Sequence, residues 1–248
     1  MNPELISHIL HAANKLDLQV FLVGGAIRDA LLDNEVMQDY DFVVSSKSKE
    51  LVEMLAAKYP GTVKTFPEFL TAKILFDTSV DGLDEVDFAE FRKEVYRHPG
   101  ALPTVSPGTQ EEDLARRDFT INTLSVGLED FNNSAGDVSK IKSSIIDQFN
   151  GLSDLEARRV KVLHPKSFTD DPTRIFRAAK YKAYINGNYE ADTEQLLKDS
   201  LSNGALETVQ GYRIVSEFKK LLCLPHRVDV LKELSELGVF SQLGLAEV

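Results

Sequence analysis

The sequence predicts an α+β fold: a small mixed β-sheet flanked by helices over residues 1–151, then an all-α segment over 152–248. Three observations carry this. A β-rich run at 19–23 breaks at Gly24-Gly25 and passes directly into helical spacing over 26–32. Short runs of strand composition recur at 62–65, 72–76 and 85–89, and beyond Gly151 the apolar periodicity is helical throughout.

The elements follow in order. Leu5, Ile6, Ile9, Leu10 and Leu16 share one face of a helix over 3–17. The 19–23 strand, the glycine turn and a second helix come next. A strand over 39–44 leads to Ser45 and Ser46, which are candidate caps for a helix over about 48–58, and Tyr59-Pro60-Gly61 ends that helix. After the three sheet strands, His98-Pro99-Gly100 and Ser106-Pro107-Gly108 mark an irregular, mobile loop. A helix from Glu111 leads into Arg116-Arg117-Asp118, and a last strand at 144–147 closes the first domain near Asn150-Gly151. Helices are then expected at 152–158, 171–185, 191–201, 205–209, 212–222 and 227–237.

Composition narrows the function. A 248-residue chain with 43% hydrophobic and 27% charged residues is ordinary for a globular protein, and no apolar run reaches membrane-spanning length. The N-terminus lacks a basic region followed by an apolar stretch, so a cytoplasmic location is expected. The single cysteine, Cys223, excludes internal disulfides and zinc–cysteine clusters and is expected to be a buried thiol. Net charge is −11, all of it in residues 1–150, which hold 14 Lys+Arg against 25 Asp+Glu. Residues 158–182 contain eight basic side chains against Asp170 and Asp171, which reads either as a solvated helix face or as an electrostatic path for phosphates.

The chemistry concentrates at Asp39-Tyr40-Asp41 and the glycine turn. On a strand, Asp39 and Asp41 project to one side while Tyr40 and Phe42 turn to the other, towards a core. Two carboxylates plus substrate phosphates suffice to hold a hard cation such as Mg2+. A lone Asp-x-Asp is equally what a strand edge or turn carries. The context is what favours a site. Gly24 and Gly25 let an anion approach the main chain, and Arg28, one turn into the helix, adds a charged fork. Neither the dinucleotide fingerprint nor the P-loop pattern is met.

Four segments together resemble the class II tRNA nucleotidyltransferase and bacterial poly(A) polymerase family. They are Gly24-Gly25-Ala26-Ile27-Arg28-Asp29, Asp39-Tyr40-Asp41, the nine residues Arg116-Arg117-Asp118-Phe119-Thr120-Ile121-Asn122-Thr123-Leu124, and Asp170-Asp171-Pro172-Thr173-Arg174 with Arg177 and Lys180. Phe91-Arg92-Lys93-Glu94-Val95-Tyr96 and the 162–168 segment also match the family's wording, and the resemblance covers about residues 20–225. Departures are Asp170 for a usual Glu, Lys180 for a third Arg, and Asp33 at a frequent Gly position.

The resemblance implies a nucleotidyltransferase head over 1–151 and a helical neck with a truncated body over 152–248. It implies template-free addition of C and/or A from CTP and ATP to the tRNA 3′ acceptor end. Mg2+ would be held by Asp39 and Asp41; apart from the resemblance, the 85–89 strand offers Asp87 either as a third ligand or as a solvent-facing residue. Nucleotide contacts would come from Gly24, Gly25, Arg28, Arg116, Arg117, Asp118, Asn122, Asp171, Arg174, Arg177 and Lys180. Asp171 and Arg174, three apart on a helix, would accept from and donate to one base edge, which suits C and A and rejects G and U. The bland reading of Asp171-Pro172 is a helix N-cap with proline at N1. The basic-aromatic run of poly(A) polymerases is absent, which favours tRNA over poly(A) synthesis. The 95–112 segment is long enough to supply the loop missing from C-only members. The 162–174 wording resembles lineages that divide C and A addition between two enzymes. A poly(A) polymerase and a non-catalytic nucleotide- or RNA-binding module are the alternatives.

Overall fold

A six-stranded sheet forms the centre of the first of two units in the computed structural model, which describes residues 3–32, 40–80 and 82–245. Its strands are β1 (Val20–Val23), β2 (Asp41–Val44), β3 (Gly61–Phe66), β4 (Thr71–Val80), β5 (Leu83–Glu90) and a later edge strand, Ser125–Gly127. Between β5 and that edge strand, β6 (Arg92–Val95) and β7 (Thr104–Pro107) make a separate ribbon, so the edge strand is β8. The sheet order is β3-β4-β5-β2-β1-β8, antiparallel except for the parallel β2–β5 neighbours. The sheet is therefore mixed, as the sequence predicts.

Helices α1 (Pro3–Leu16), α2 (Gly25–Leu31), α3 (Ser48–Ala56), α4 (Gln110–Ala115), α5 (Leu128–Ser134) and α6 (Val138–Ser143) complete this unit. Strand alternation sorts the core. Phe42 and Phe88, directly paired across β2 and β5, stack at 5.0 Å with both rings fully buried, an arrangement worth about 0.5–1.5 kcal/mol beyond area burial. Phe21, Val23 and Val43 face the other way and pack with Phe91, Leu114, Ile146 and Phe149.

The second unit comprises 95–104, 118–121 and 150–248. It holds α7 (Gly151–Glu156), β9 (Arg159–Val160), α8 (Ser167–Asp170), α9 (Arg174–Tyr184), β10 (Asn188–Tyr189), α10 (Ala191–Ser202), α11 (Gly211–Leu222), α12 (Arg227–Glu236) and α13 (Val239–Gln242), with β9 and β10 as a short parallel pair.

Several expectations change. Ser45 and Ser46 do not cap α3. Lys47 stands at the N-cap in a left-handed conformation, and the Glu90 carboxylate, brought in by β5, accepts from the Ser48 amide (2.8 Å) and hydroxyl (2.9 Å). The Ser45 hydroxyl instead accepts from the Gln19 amide. The 144–147 strand shrinks to a single bridge between Ser125 and Ile146, while α5 and α6 were not foreseen. The 98–108 loop is more regular than its prolines suggest: 104–107 is strand β7, and Thr109 begins α4 with a reciprocal capping box to Glu112. Cys223 is exposed, not buried: it stands at the C-cap of α11, a helix whose buried residue is Leu221. The 171–185 helix starts at Arg174, since Asp171 is extended and ends α8.

Candidate active site

In the first unit a row of side chains crosses three strands. Asp41 on β2 is in register with Asp87 on β5, and Asp87 with Lys73 on β4. Residues directly opposite share a sheet face, and Asp41 lies two residues before Val43, so the row emerges on the Phe21–Phe91 side. Asp39 lies outside the described residues. Burial pushes the Asp87 carboxyl above the usual carboxylate range; Lys73 opposes this, and Glu85 and Asp41 add to it. Lys73 Nζ lies 3.0 Å from Glu85 and 3.8 Å from Asp87.

The glycine turn is tightly built. Gly24 has φ +75°, and a Cβ there would lie 3.2 Å from the Asn122 carbonyl and 3.4 Å from Arg117 Nη1. Its amide donates to the Leu124 carbonyl at 2.9 Å, so the Asn122–Leu124 stretch of the nine-residue motif packs on the turn. Arg28, buried, donates from Nη1 to Asn122 Oδ1 at 2.6 Å and is paired with Asp29 at 2.8 Å. Gly25 stands beside it: a Cβ on Gly25 would meet Arg28 Nη2 at 3.8 Å. Besides Arg28, the turn has Arg117 and the arginines joined to it as neighbouring cations.

Those cations form a cluster. Asp113, 1% exposed, accepts from Arg116 Nε and Nη2 at 3.0 and 2.7 Å and from Arg117 Nη2 at 3.2 Å. Glu94 pairs with Arg116 at 2.8 Å and Arg92 at 3.4 Å. Arg92 also donates to the Phe69 carbonyl and the Thr71 hydroxyl, on the strand that carries Lys73. Three guanidinium groups thus face two carboxylates. Burial, then the neighbouring Arg116, lowers the Arg92 pKa, and among the described residues the buried Nε atoms of Arg92 and Arg117 have no hydrogen-bond partner. A phosphate anion suits such an excess.

The second unit holds the other residues expected from the sequence. Asp118 accepts from the Phe119 amide at 2.9 Å and from Arg177 Nε at 2.6 Å; Arg177 reaches Tyr181, and Lys180 lies 5.2 Å from that ring's centroid. Asp118 and Arg177 are therefore partners of each other. Asp171 Oδ1 accepts from the Thr173 amide and hydroxyl and from Arg213 Nη2. Arg174, buried, donates to Ser167 Oγ at 2.8 Å. Asp171 and Arg174 are not three apart on one helix face, because only Arg174 is helical.

The basic stripe is also largely consumed. Arg159 pairs with Asp154, Lys182 with Glu233, and Arg158 with the Ile185 carbonyl, while Lys161 and Lys166 remain exposed. Sequence reasoning gave no role to Asp113, Arg92, Lys73 or Arg213. Asp113 was readable, since it precedes Arg116 and Arg117 by three and four residues on a helix. Lys73 and Arg213 were not, since sheet register and long-range packing place them.

As a test for a metal, Asp41 and Asp87 present hard oxygen donors on adjacent strands, a set suited to a divalent cation that keeps water and phosphate ligands. Among the described residues no group of three or more His, Cys, Asp or Glu side chains forms a closed metal cage. The donors fit an open site shared with substrate.

Comparison with known proteins gives the family. The model of the poly A polymerase head domain matches residues 20–161. The chain is 39% identical over 217 residues to an A-adding tRNA nucleotidyltransferase of Aquifex aeolicus, covering 87% of this chain and 24% of that protein. It is 33% identical over 237 residues to the A-adding tRNA nucleotidyltransferase of Halalkalibacterium halodurans, covering 94% and 51%. A crystal structure of a tRNA nucleotidyltransferase complexed with a primer tRNA and an incoming ATP analog superposes with a TM-score of 0.77 at 33% identity, over 95% of this chain and 62% of that one. The chain thus spans between a quarter and a half of the length of these curated relatives. The β2–β5 carboxylates, the glycine turn and the matches together show that the chain belongs to the poly A polymerase head-domain family, that of the class II tRNA nucleotidyltransferases.

Proposed function

We propose that this chain carries the catalytic head (1–151) and helical neck (152–248) of a Mg2+-dependent tRNA 3′-end nucleotidyltransferase that acts in the cytoplasm. The observation that carries the reading is the row Asp41–Asp87 on the sheet face of a unit that also holds the Gly24 turn and the arginine cluster. Asp39 and Asp41, with Asp87 in register with Asp41, would hold Mg2+. When bound, the metal lowers the pKa of the primer 3′-hydroxyl and neutralises charge on the departing pyrophosphate.

The chain's own residues do the rest. Gly24 and Gly25 let phosphate oxygens approach the backbone, and Arg28, held by Asn122 and Asp29, presents a fixed fork. Arg116 and Arg117, oriented by Asp113, hold the remaining triphosphate charge. In-line phosphoryl transfer asks mainly for positioning and charge neutralisation, and these groups provide both. In the neck, Asp171 accepts a hydrogen bond from the exocyclic amine of C or A while Arg174 donates to the adjacent ring nitrogen; G and U present the reverse pattern. Asp118 and Arg177, bound to each other, brace that helix, and Lys180 adds a cation.

The names of the two curated relatives favour addition of the terminal A over synthesis of the whole CCA end. The test uses tRNA transcripts ending before CCA, after C and after CC, each with single labelled nucleotides. Incorporation of one A on the CC-ended transcript is expected. Long homopolymers on unstructured RNA would establish a poly(A) polymerase instead. No incorporation on any transcript, with nucleotide binding intact in the Asp39→Ala/Asp41→Ala double variant, would establish a non-catalytic binding module.

A further inference from the structure

One guanidinium in the second unit ties together two segments far apart in sequence. Arg213, on the first turn of α11, donates from Nη1 to the Gly100 carbonyl at 2.9 Å and from Nη2 to Asp171 Oδ1 at 2.8 Å. Its side chain is 14% exposed and that of Asp171 19%, so both are largely withdrawn from water. The Gly100 end is fixed in turn. Its amide donates to the Asp170 carbonyl at 3.3 Å, its φ is +71°, and a Cβ would lie 2.7 Å from the Thr208 carbonyl oxygen and 2.4 Å from its hydroxyl. Glycine is required there on both steric and conformational grounds.

At the Asp171 end the acceptors are used unequally. Oδ1 takes three donors, from the Thr173 amide, the Thr173 hydroxyl and Arg213, whereas Oδ2 has no partner among the described residues. A carboxylate held this way has a fixed plane and one open acceptor. Thr173 holds Oδ1 with two donors of one residue; Arg213, itself anchored on the Gly100 carbonyl, adds a third donor from a different element, which fixes the position of Oδ1 and with it the side-chain torsions of Asp171.

We propose that Arg213 is a positioning residue for base selection: by bridging the Gly100 carbonyl and Asp171 Oδ1, it aims Asp171 Oδ2 at the exocyclic amine of the incoming base. This rests on the reading of Asp171 as a base-recognition residue. Lysine cannot replace it, because a point charge on a flexible stem cannot hold two acceptors in one plane.

The experiment measures kcat/KM for ATP, CTP, GTP and UTP on tRNA ending after CC, with the full chain, for wild type, Arg213→Lys and Gly100→Ala. Equilibrium binding of each nucleotide and a thermal melt accompany each protein. The expected result is a fall of about tenfold in preference for ATP over GTP and UTP in Arg213→Lys, the factor one charge-assisted hydrogen bond supplies. Gly100→Ala, which displaces the carbonyl without touching Arg213, shifts the same ratio in the same direction.

A merely structural role would lower all four nucleotides together and leave their ratios unchanged. That outcome overturns the proposal, as does an unchanged ratio in both folded variants. Loss of a melting transition in both variants assigns Arg213 to stability and overturns it equally. A wild type that neither incorporates nor discriminates nucleotides is a different failure, that of the enzymatic reading itself.

Discussion

Replacing Asp113 by alanine tests whether the arginine cluster is assembled as described. The carboxylate is 1% exposed and accepts three hydrogen bonds from two guanidinium groups, so truncation removes the carboxylate that holds Arg116 and Arg117 and leaves Glu94 paired with Arg92 and Arg116. Removing one member of a buried ion cluster costs about 3–5 kcal/mol, because the remaining charges stay desolvated. The arginine side chains here are 15–17% exposed and recover some hydration, which places the expected loss near the lower end, about 3 kcal/mol. For a chain of this size each kcal/mol lowers Tm by about 2–4 °C, so a fall of about 6–12 °C follows. Asp113→Asn, which keeps an acceptor without the charge, should lose roughly half as much.

The assay is thermal unfolding by circular dichroism at low ionic strength, with and without pyrophosphate. Pyrophosphate should narrow the gap between variant and wild type, since an anion supplies the charge that Asp113 no longer provides. A fall of less than about 2 °C, or an equal pyrophosphate response in both proteins, would refute the cluster as the holder of Arg116 and Arg117.

Three further outcomes are expected. Gly24→Ala places a Cβ 3.2 Å from the Asn122 carbonyl at φ +75°, which should cost about 1–2 kcal/mol and weaken ATP binding measured by calorimetry; unaltered binding would separate the turn from the phosphates. Glu90→Ala removes both bonds to Ser48 and with them the cap of α3, a loss of about 1 kcal/mol readable in urea titrations as a lower midpoint with unchanged slope. His164, whose pKa is lowered by burial and then by Arg174, binds fewer protons folded than unfolded. It therefore favours the fold above its ordinary pKa, and that contribution is lost as pH falls below it. His164→Gln should flatten the decline of Tm between about pH 7 and pH 5, and an identical pH profile would contradict the assignment.

Much of the first unit was legible because local physics decides it. The strand candidates at 62–65, 72–76 and 85–89 fall within β3, β4 and β5, each longer than expected by one or more residues at both ends. The glycine turn, the helix after it and the α1 face were equally local. Pattern failed where a distant partner does the local work. Glu90, not a neighbouring serine, satisfies the α3 N-terminus. Ribbon pairing with β6 makes a strand of 104–107 despite its proline.

The candidate site divides along the same line. The sequence by itself determined which residue types gather at the glycine turn, at Asp39-Tyr40-Asp41 and around Arg116 and Arg117, because those motifs are contiguous and their chemistry is local. Tertiary structure alone decided that Asp41 meets Asp87 and Lys73, since sheet register is a long-range property that no single strand encodes. It also decided that Arg177 answers Asp118 and that Arg213 grips Asp171, pairings that span 59 and 42 residues of chain. Charge counted along the sequence measures how many cations a segment holds. Folding decides which of them are already spent on carboxylates.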